Sequence, residues 1–173
     1  KWIDKGRAIR GADSTVPTSA SFLSHKKSHL GSLVTMANLS GTWKLEKNEN
    51  FDDYLKALGM GAVKRKVALA TSPTMEIKQD GTHFYIKTST MVSTQVMDFN
   101  AGETFPTDIP GITTGKWQCE SSWDAGVLKT VASPGAEDKD LQPTTITREV
   151  SGDQLIQTFI VGDVKAVRTF KRS

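Results

Sequence analysis

Cysteine, histidine and tyrosine are scarce in this chain of 173 residues, which holds one Cys, three His and two Tyr. A lone Cys119 cannot close an internal disulfide, so cysteine usage does not speak for secretion, and Cys119 reads as an inert strand residue. No apolar run approaches the roughly 18 residues that a membrane-spanning helix requires. The N-terminal stretch also lacks a continuous apolar core of signal-peptide length. Together these absences lead us to expect a soluble intracellular protein. Beyond residue 36 the only histidine is His83, and no Ser-His-Asp or Cys-His arrangement is available, which argues against an enzyme. His83 alternates with Phe84 and is expected on the outer surface of a strand.

Acidic residues are scarce in residues 1–36, where six basic side chains (Lys1, Lys5, Arg7, Arg10, Lys26, Lys27) face only Asp4 and Asp13. That segment therefore carries +4 of the +3 formal charge of the whole chain, leaving the rest at −1. A basic pI arising from one segment is a poor argument for nucleic-acid or membrane binding by the remainder. From Gly11 to Ser32 the composition is Ser/Thr/Gly-rich without periodicity, so residues 1–36 are expected to be a disordered extension, read as a leader ahead of a Met36-Ala37-Asn38 start. Its mix of arginines and serines also faintly resembles an organelle transit peptide. His25 and His29 lie four apart, but neither a helix signal nor an intervening Glu supports a metal site there, and we expect no metal and no cofactor.

Residues 37–173 form the expected folded domain. Residues 41–48 alternate as a strand, with Trp43 and Leu45 on one face and Lys44 and Glu46 on the other. Asn50 then offers an N-cap, Asp52 and Asp53 suit a first helical turn, and Phe51, Tyr54, Leu55 and Leu58 recur at helical spacing until Gly59. A second short helix over 61–70 shows an apolar stripe of Val63, Val67 and Ala70. Beyond Pro73 every segment reads as a strand: 75–79 and 83–90 flanking Asp80-Gly81, then 93–99, 103–109, 115–123, 126–133, 143–151, 153–161 and 163–171. Ten antiparallel strands with tight turns must bury one face and dispose of two edges. Closure into a barrel does both, and a barrel of that size encloses a cavity. The expected fold is thus all-β, a ten-stranded antiparallel β-barrel or β-clam, with a helix-turn-helix lid between the first two strands.

Two arginines stand where this pattern wants apolar residues. Arg148 shares a strand face with Ile146 and Val150, and Arg168 shares one with Val164, Ala166 and Phe170. An inward arginine costs several kcal/mol unless something negative meets it, and neither strand supplies an acid on that face, since Glu149 points away. The partner would then be a ligand, most simply a small carboxylate. The alternative is that both arginines face water beside exposed valines.

Gly41-Thr42-Trp43-Lys44-Leu45 followed by Asn50-Phe51-Asp52-Asp53-Tyr54-Leu55 resembles the N-terminal signature of the intracellular lipid-binding proteins, the group of fatty-acid-binding and cellular retinoic-acid-binding proteins. The resemblance continues through Arg65-Lys66-Val67-Ala68, Glu76-Ile77-Lys78-Gln79, Phe84-Tyr85-Ile86-Lys87-Thr88-Ser89-Thr90, Thr147-Arg148-Glu149 and Val167-Arg168-Thr169-Phe170, and it spans 37–173. It implies a monomeric cytoplasmic carrier of a fatty acid or retinoic acid, with the helical pair as portal and the ligand carboxylate clamped by two arginines and a tyrosine. Arg148 and Arg168 match the arginines. Phe170 stands at the tyrosine position, so one hydroxyl donor is missing, and Gln157, inward on the neighbouring strand, is a candidate replacement directly or through water. Phe51 and Tyr54 on the first helix, and Met75, Ile77, Phe84, Ile86 and Phe159 on inward strand faces, are candidates for the cavity and portal. Lys56, Arg65 and Lys66 match basic positions that in some members resemble a composite nuclear-import surface or a landing patch for anionic membranes. The plainer reading of these three is a solvated helix face.

Two other classes fit less well. A secreted lipocalin shares a Gly-x-Trp start and a barrel, but it brings disulfide cysteines and lacks a helical pair after its first strand. A nucleic-acid-binding barrel needs aromatics interleaved with basic residues on an exposed face, whereas Met75, Phe84 and Ile86 gather on an inward one.

Overall fold

The structure, a computed structural model, describes residues 37–109 and 112–173. The extension and the His25/His29 pair lie outside these residues. The chain begins with β1 (Gly41–Glu49), continues into α1 (Phe51–Ala57) and α2 (Ala62–Ala70), and then runs through nine more strands. These are β2 (Thr74–Asp80), β3 (His83–Ser89), β4 (Thr94–Asn100), β5 (Thr104–Thr107), β6 (Trp117–Asp124), β7 (Val127–Ser133), β8 (Thr144–Ser151), β9 (Gln154–Val161) and β10 (Val164–Arg172).

All ten strands form one antiparallel sheet in the order β4-β3-β2-β1-β10-β9-β8-β7-β6-β5. Each strand pairs with its sequence neighbour except at two places: β1 pairs with β10, and β4 does not pair with β5. The two free edges meet through side chains. Gln95 Nε2 donates to the Asp108 carbonyl at 2.5 Å, and Phe99 stacks on Phe105 with ring centroids 4.2 Å apart. Pro106 lies in β5, an edge strand, where a missing backbone N–H costs least. The first hairpin turns at Gly81-Thr82, one residue later than the Asp80-Gly81 reading, because Asp80 still pairs with His83 and Gly81 takes φ +57°.

Alternation divides the barrel interior into a packed half and a hollow half. In the packed half, Phe84 lies between Phe99 (5.8 Å) and Trp123 (5.4 Å), with Ile77, Ile86, Leu128 and Leu155 all essentially inaccessible to solvent. Trp43 is fully buried, and its indole N–H donates to the Leu39 carbonyl at 3.0 Å. Burying such side chains contributes about 1.5–3 kcal/mol each against leaving them in water, so this half holds the barrel shut.

The helices close over the hollow half. Helix α1 packs on β9 and β10 through Phe51, Tyr54 and Leu55, the i, i+3, i+4 face that its spacing predicts. Phe51, Tyr54 and Phe159 form a ring cluster with centroid separations of 4.8–5.7 Å. Asn50 precedes α1 as expected but does not cap it. Its backbone is left-handed (φ 55°), and its side-chain amide donates instead to the Lys165 carbonyl at 2.8 Å, pinning the strand-to-helix corner to the start of β10.

Helix α2 departs from the sequence reading. Its expected stripe is not a buried face: Val63 is 79% exposed, Val67 is 49% exposed and Ala70 is also exposed, whereas Ala68 and Leu69 pack partly against the core. The rotation is set by Arg65, whose Nε donates to Asp52 Oδ1 at 2.8 Å and whose Nη1 donates to the Met60 carbonyl at 2.9 Å. That tether turns the Val63/Val67 side toward the mouth of the cavity, where both residues remain in its wall.

Candidate functional site

The register across β7 to β1 places five residues in one inward row: Leu128 opposite Arg148, Arg148 opposite Gln157, Gln157 opposite Arg168, and Arg168 opposite Asn48. Both arginines face inward, and the exposed alternative is set aside, because only 3% of Arg148 and 8% of Arg168 reach solvent. Gln157 between them is 4% exposed. With its amide oxygen turned to the guanidinium, Gln157 accepts from Arg148 Nη2 at 3.1 Å and Nε at 3.2 Å. It therefore steadies Arg148, and that oxygen is no donor.

Asn48 could not be found by alternation. Counting by two from Trp43 and Leu45 puts residues 47 and 49 inside and 48 outside. A β-bulge between Leu45 and Lys47 inserts an extra residue, shifts the face by one, and turns Asn48 inward. Its Oδ1 accepts from Arg168 Nε at 2.8 Å. The Arg168 guanidinium also lies 4.2 Å from the Phe51 ring centroid and 5.7 Å from that of Phe170. Two ring faces and one amide oxygen therefore hold this cation in place.

Neither arginine meets a carboxylate among the described residues. Burial in the apolar interior pulls both guanidinium pKa values down to about 10, which still leaves both cationic at neutral pH. The polar neighbours of Arg148 do not offset its charge. Burial pushes the Tyr54 phenol up to about 12 and the Cys119 thiol up to about 11, so both are neutral. The Tyr54 hydroxyl is 3.0 Å from Thr144 Oγ1, which in turn donates to the Ile160 carbonyl at 3.0 Å. Arg148 Nη1, buried, finds no partner at all among the described residues.

These groups form the inner wall of a cavity of about 500 Å³, a size suited to a small organic ligand. The rest of the wall is mainly apolar: Met60, Met97, Ile109, Ile112, Ala132 and Ile146. Of the residues expected from sequence to line it, Phe51, Tyr54, Met75, Phe159, Gln157, Phe170, Arg148 and Arg168 do so. Ile77, Phe84 and Ile86 do not. They alternate inward as expected, but at the end of the barrel that the aromatic cluster fills, so they are core residues. Cys119 and Thr130 were missed as lining residues, although both fall on the inward face of a period-two strand: Cys119 alternates with Trp117 and Ser121, and Thr130 with Leu128 and Ala132.

The basic trio on the helices does not form one surface. Arg65 is tied into the helix pair through Asp52, with its side chain only 19% exposed, while Lys56 and Lys66 are exposed. Arg65 thus holds the lid together and is withdrawn from any composite patch. His83 lies on the outer face, where Nε2 is 2.6 Å from Asp98 Oδ1.

Comparison with known proteins agrees with this architecture. A family model described as the lipocalin / cytosolic fatty-acid binding protein family matches residues 40–173. The chain is 42% identical over 141 residues to cellular retinoic acid-binding protein 1 of Gallus gallus, covering 79% of this chain and 99% of that one. The Homo sapiens protein of the same name gives the same identity and coverage. Among solved structures, the REP1-NXSQ fatty acid transporter superposes with a TM-score of 0.70 at 36% identity, over 78% of this chain and 96% of the other. Lipid binding protein 8 of Caenorhabditis elegans, in its apo form, superposes with a TM-score of 0.73 at 28% identity, over 82% and 99%. With the ten-stranded barrel and its helical pair after the first strand, these matches establish that the chain belongs to the lipocalin / cytosolic fatty-acid binding protein family, as a lipid-binding protein and not an enzyme.

Proposed function

We propose that this protein binds and carries a long-chain hydrophobic carboxylate, a fatty acid or retinoic acid, inside the cell, with the carboxylate between Arg148 and Arg168. The observation that carries this reading is the pair of buried guanidinium groups facing an apolar cavity without a carboxylate partner among the described residues. A retained cationic pair of that kind is costly unless a ligand anion completes it. The family and the names of its relatives support the same class of ligand.

The division of labour follows from magnitudes. Burying an alkyl chain contributes about 0.8 kcal/mol per methylene, so a long-chain acid offers on the order of 10 kcal/mol before association costs. A charge-assisted hydrogen bond adds about 1.5–3 kcal/mol. The chain drives affinity, and the arginines set orientation and preference for acids over neutral analogues. Displacement titration with oleate and all-trans retinoic acid, each paired with its methyl ester, tests this: the acids should bind at least ten-fold tighter than the esters. Equal affinity for acid and ester would remove the clamp. Extraction of the purified protein followed by mass spectrometry should recover lipid, and recovery of nucleic acid without lipid would overturn the carrier reading.

Delivery to membranes is a further part of the proposal. Val63, Val67 and Val92 are exposed residues of the cavity wall, Lys66 adjoins Val67 on α2, and Lys56 is exposed on α1. Exposed apolar side chains with nearby cations suit brief contact with an anionic bilayer.

A further inference from the structure

The site has two strong cations but lacks the hydroxyl that Phe170 displaces, and Gln157 turns its amide oxygen to Arg148. Three buried polar atoms remain without a partner among the described residues: Arg148 Nη1, Thr130 Oγ1 and Ser121 Oγ. They are neighbours. Ser121 is directly opposite Thr130 across β6 and β7, and Thr130 is opposite Ile146, the residue that precedes Arg148 on the same inward face of β8. Directly opposed residues carry their Cβ atoms about 5 Å apart and diagonal ones about 7 Å, within reach of an arginine terminus. Thr130 is 3% and Ser121 7% exposed, and Thr130 and Arg148 both line the cavity. A buried polar atom without a partner is costly, so two hydroxyls and one guanidinium nitrogen in one corner mark a place where something polar belongs.

We propose that Thr130 is a specificity-determining residue of this protein, its hydroxyl donating the third hydrogen bond to a ligand carboxylate whose nearer oxygen accepts from Arg148 Nη1. Ser121 lies opposite Thr130 without bonding to it, so the Thr130 hydroxyl is left free to turn its proton into the cavity. Arg168 has Nε held by Asn48 and its face on Phe51, which leaves its Nη groups for the farther carboxylate oxygen. The carboxylate therefore sits between the two arginines with its nearer oxygen turned toward Arg148 and Thr130, since Phe170 offers no donor on the β10 side. This inference rests on the carboxylate reading of the cavity given above.

Thr130→Val keeps the shape and removes only the hydroxyl. Titrated with oleate, it should bind about ten-fold more weakly than the natural chain, the loss expected for one hydrogen bond to a charged group. Affinity for methyl oleate should not change, and Thr130→Ser should restore oleate binding. The thermal midpoint of the unliganded Thr130→Val protein should stay level or rise, because an unpartnered buried hydroxyl is removed. If the natural chain binds oleate and Arg148→Gln abolishes it while Thr130→Val binds like the natural chain, the Thr130 assignment falls and the carboxylate site stands. If the natural chain does not distinguish oleate from its ester, both fall. Weaker binding of acid and ester alike, with a lowered midpoint, would assign Thr130 to packing and overturn the proposal.

Discussion

Replacing Arg148 should make the unliganded protein more stable, provided that its hydrogen-bond acceptor goes with it. The guanidinium is drawn from 12.5 to about 10 by burial, which corresponds to a penalty of about 3 kcal/mol for holding the cation in the folded state. Arg148→Met releases that penalty but leaves the Gln157 oxygen without the donors that approach it at 3.1 and 3.2 Å. An orphaned buried acceptor costs about 1–3 kcal/mol, so the single variant should fall between unchanged and about 2 kcal/mol more stable. The double variant Arg148→Met, Gln157→Leu carries no orphan and should show most of the gain. With a urea m-value of about 2 kcal/mol per molar, its midpoint should move up by roughly 1 M, read by tryptophan fluorescence. The same variant should lose most of its affinity for oleate while keeping that for methyl oleate, measured by calorimetric titration. A double variant less stable than the natural chain, or one that still prefers the acid, would refute the argument that Arg148 is an uncompensated cation kept for a ligand.

Further outcomes follow from the same geometry. Asn48→Asp sets an internal carboxylate against Arg168 Nε, so the unliganded protein should gain stability while oleate affinity drops at least several-fold by calorimetry; tighter binding would show that Arg168 is not a ligand contact. The Asp138 carboxyl, although burial alone would raise its pKa, is held below the usual range by hydrogen bonds from Trp117 Nε1 and from the backbone N–H groups of Thr114 and Gly115. Its folded pKa being the lower one, its contribution is complete above the unfolded value near 3.8 and is lost as pH falls through the folded value. Asp138→Asn should therefore lower the urea midpoint at pH 7 and lose that difference as pH drops below about 4; an equal difference at both pH values would contradict this. Lys56→Ala with Lys66→Ala should slow ligand transfer to vesicles rich in anionic lipid and leave transfer to neutral vesicles unchanged, and equal slowing on both would remove the electrostatic contact.

Alternation was enough to read the ten strands and to make an inward Arg148 and Arg168 one of two readings, because side chains in a strand must choose between two faces and the core accepts only one; burial in the folded barrel decided between them. The aromatic face of α1 was legible for the same kind of reason at helical spacing. What periodicity could not supply was anything that depends on two elements meeting. The bulge in β1 that turns Asn48 onto Arg168 breaks the very period that would reveal it. The rotation of α2 depends on Arg65 reaching Asp52 and Met60, which is a matter of how two helices dock. Whether an inward residue lines a cavity or fills the core depends on how far along the barrel it sits, so Ile77, Phe84 and Ile86 look identical in sequence to Met75 and Phe159 yet lie on opposite sides of that divide. Asn48 apart, the alternation of the sequence determined which strand residues enter the barrel. Only tertiary structure decided which of them meet, because hydrogen bonding and packing between distant segments are set by register, bulges and helix docking, none of which has a local signature.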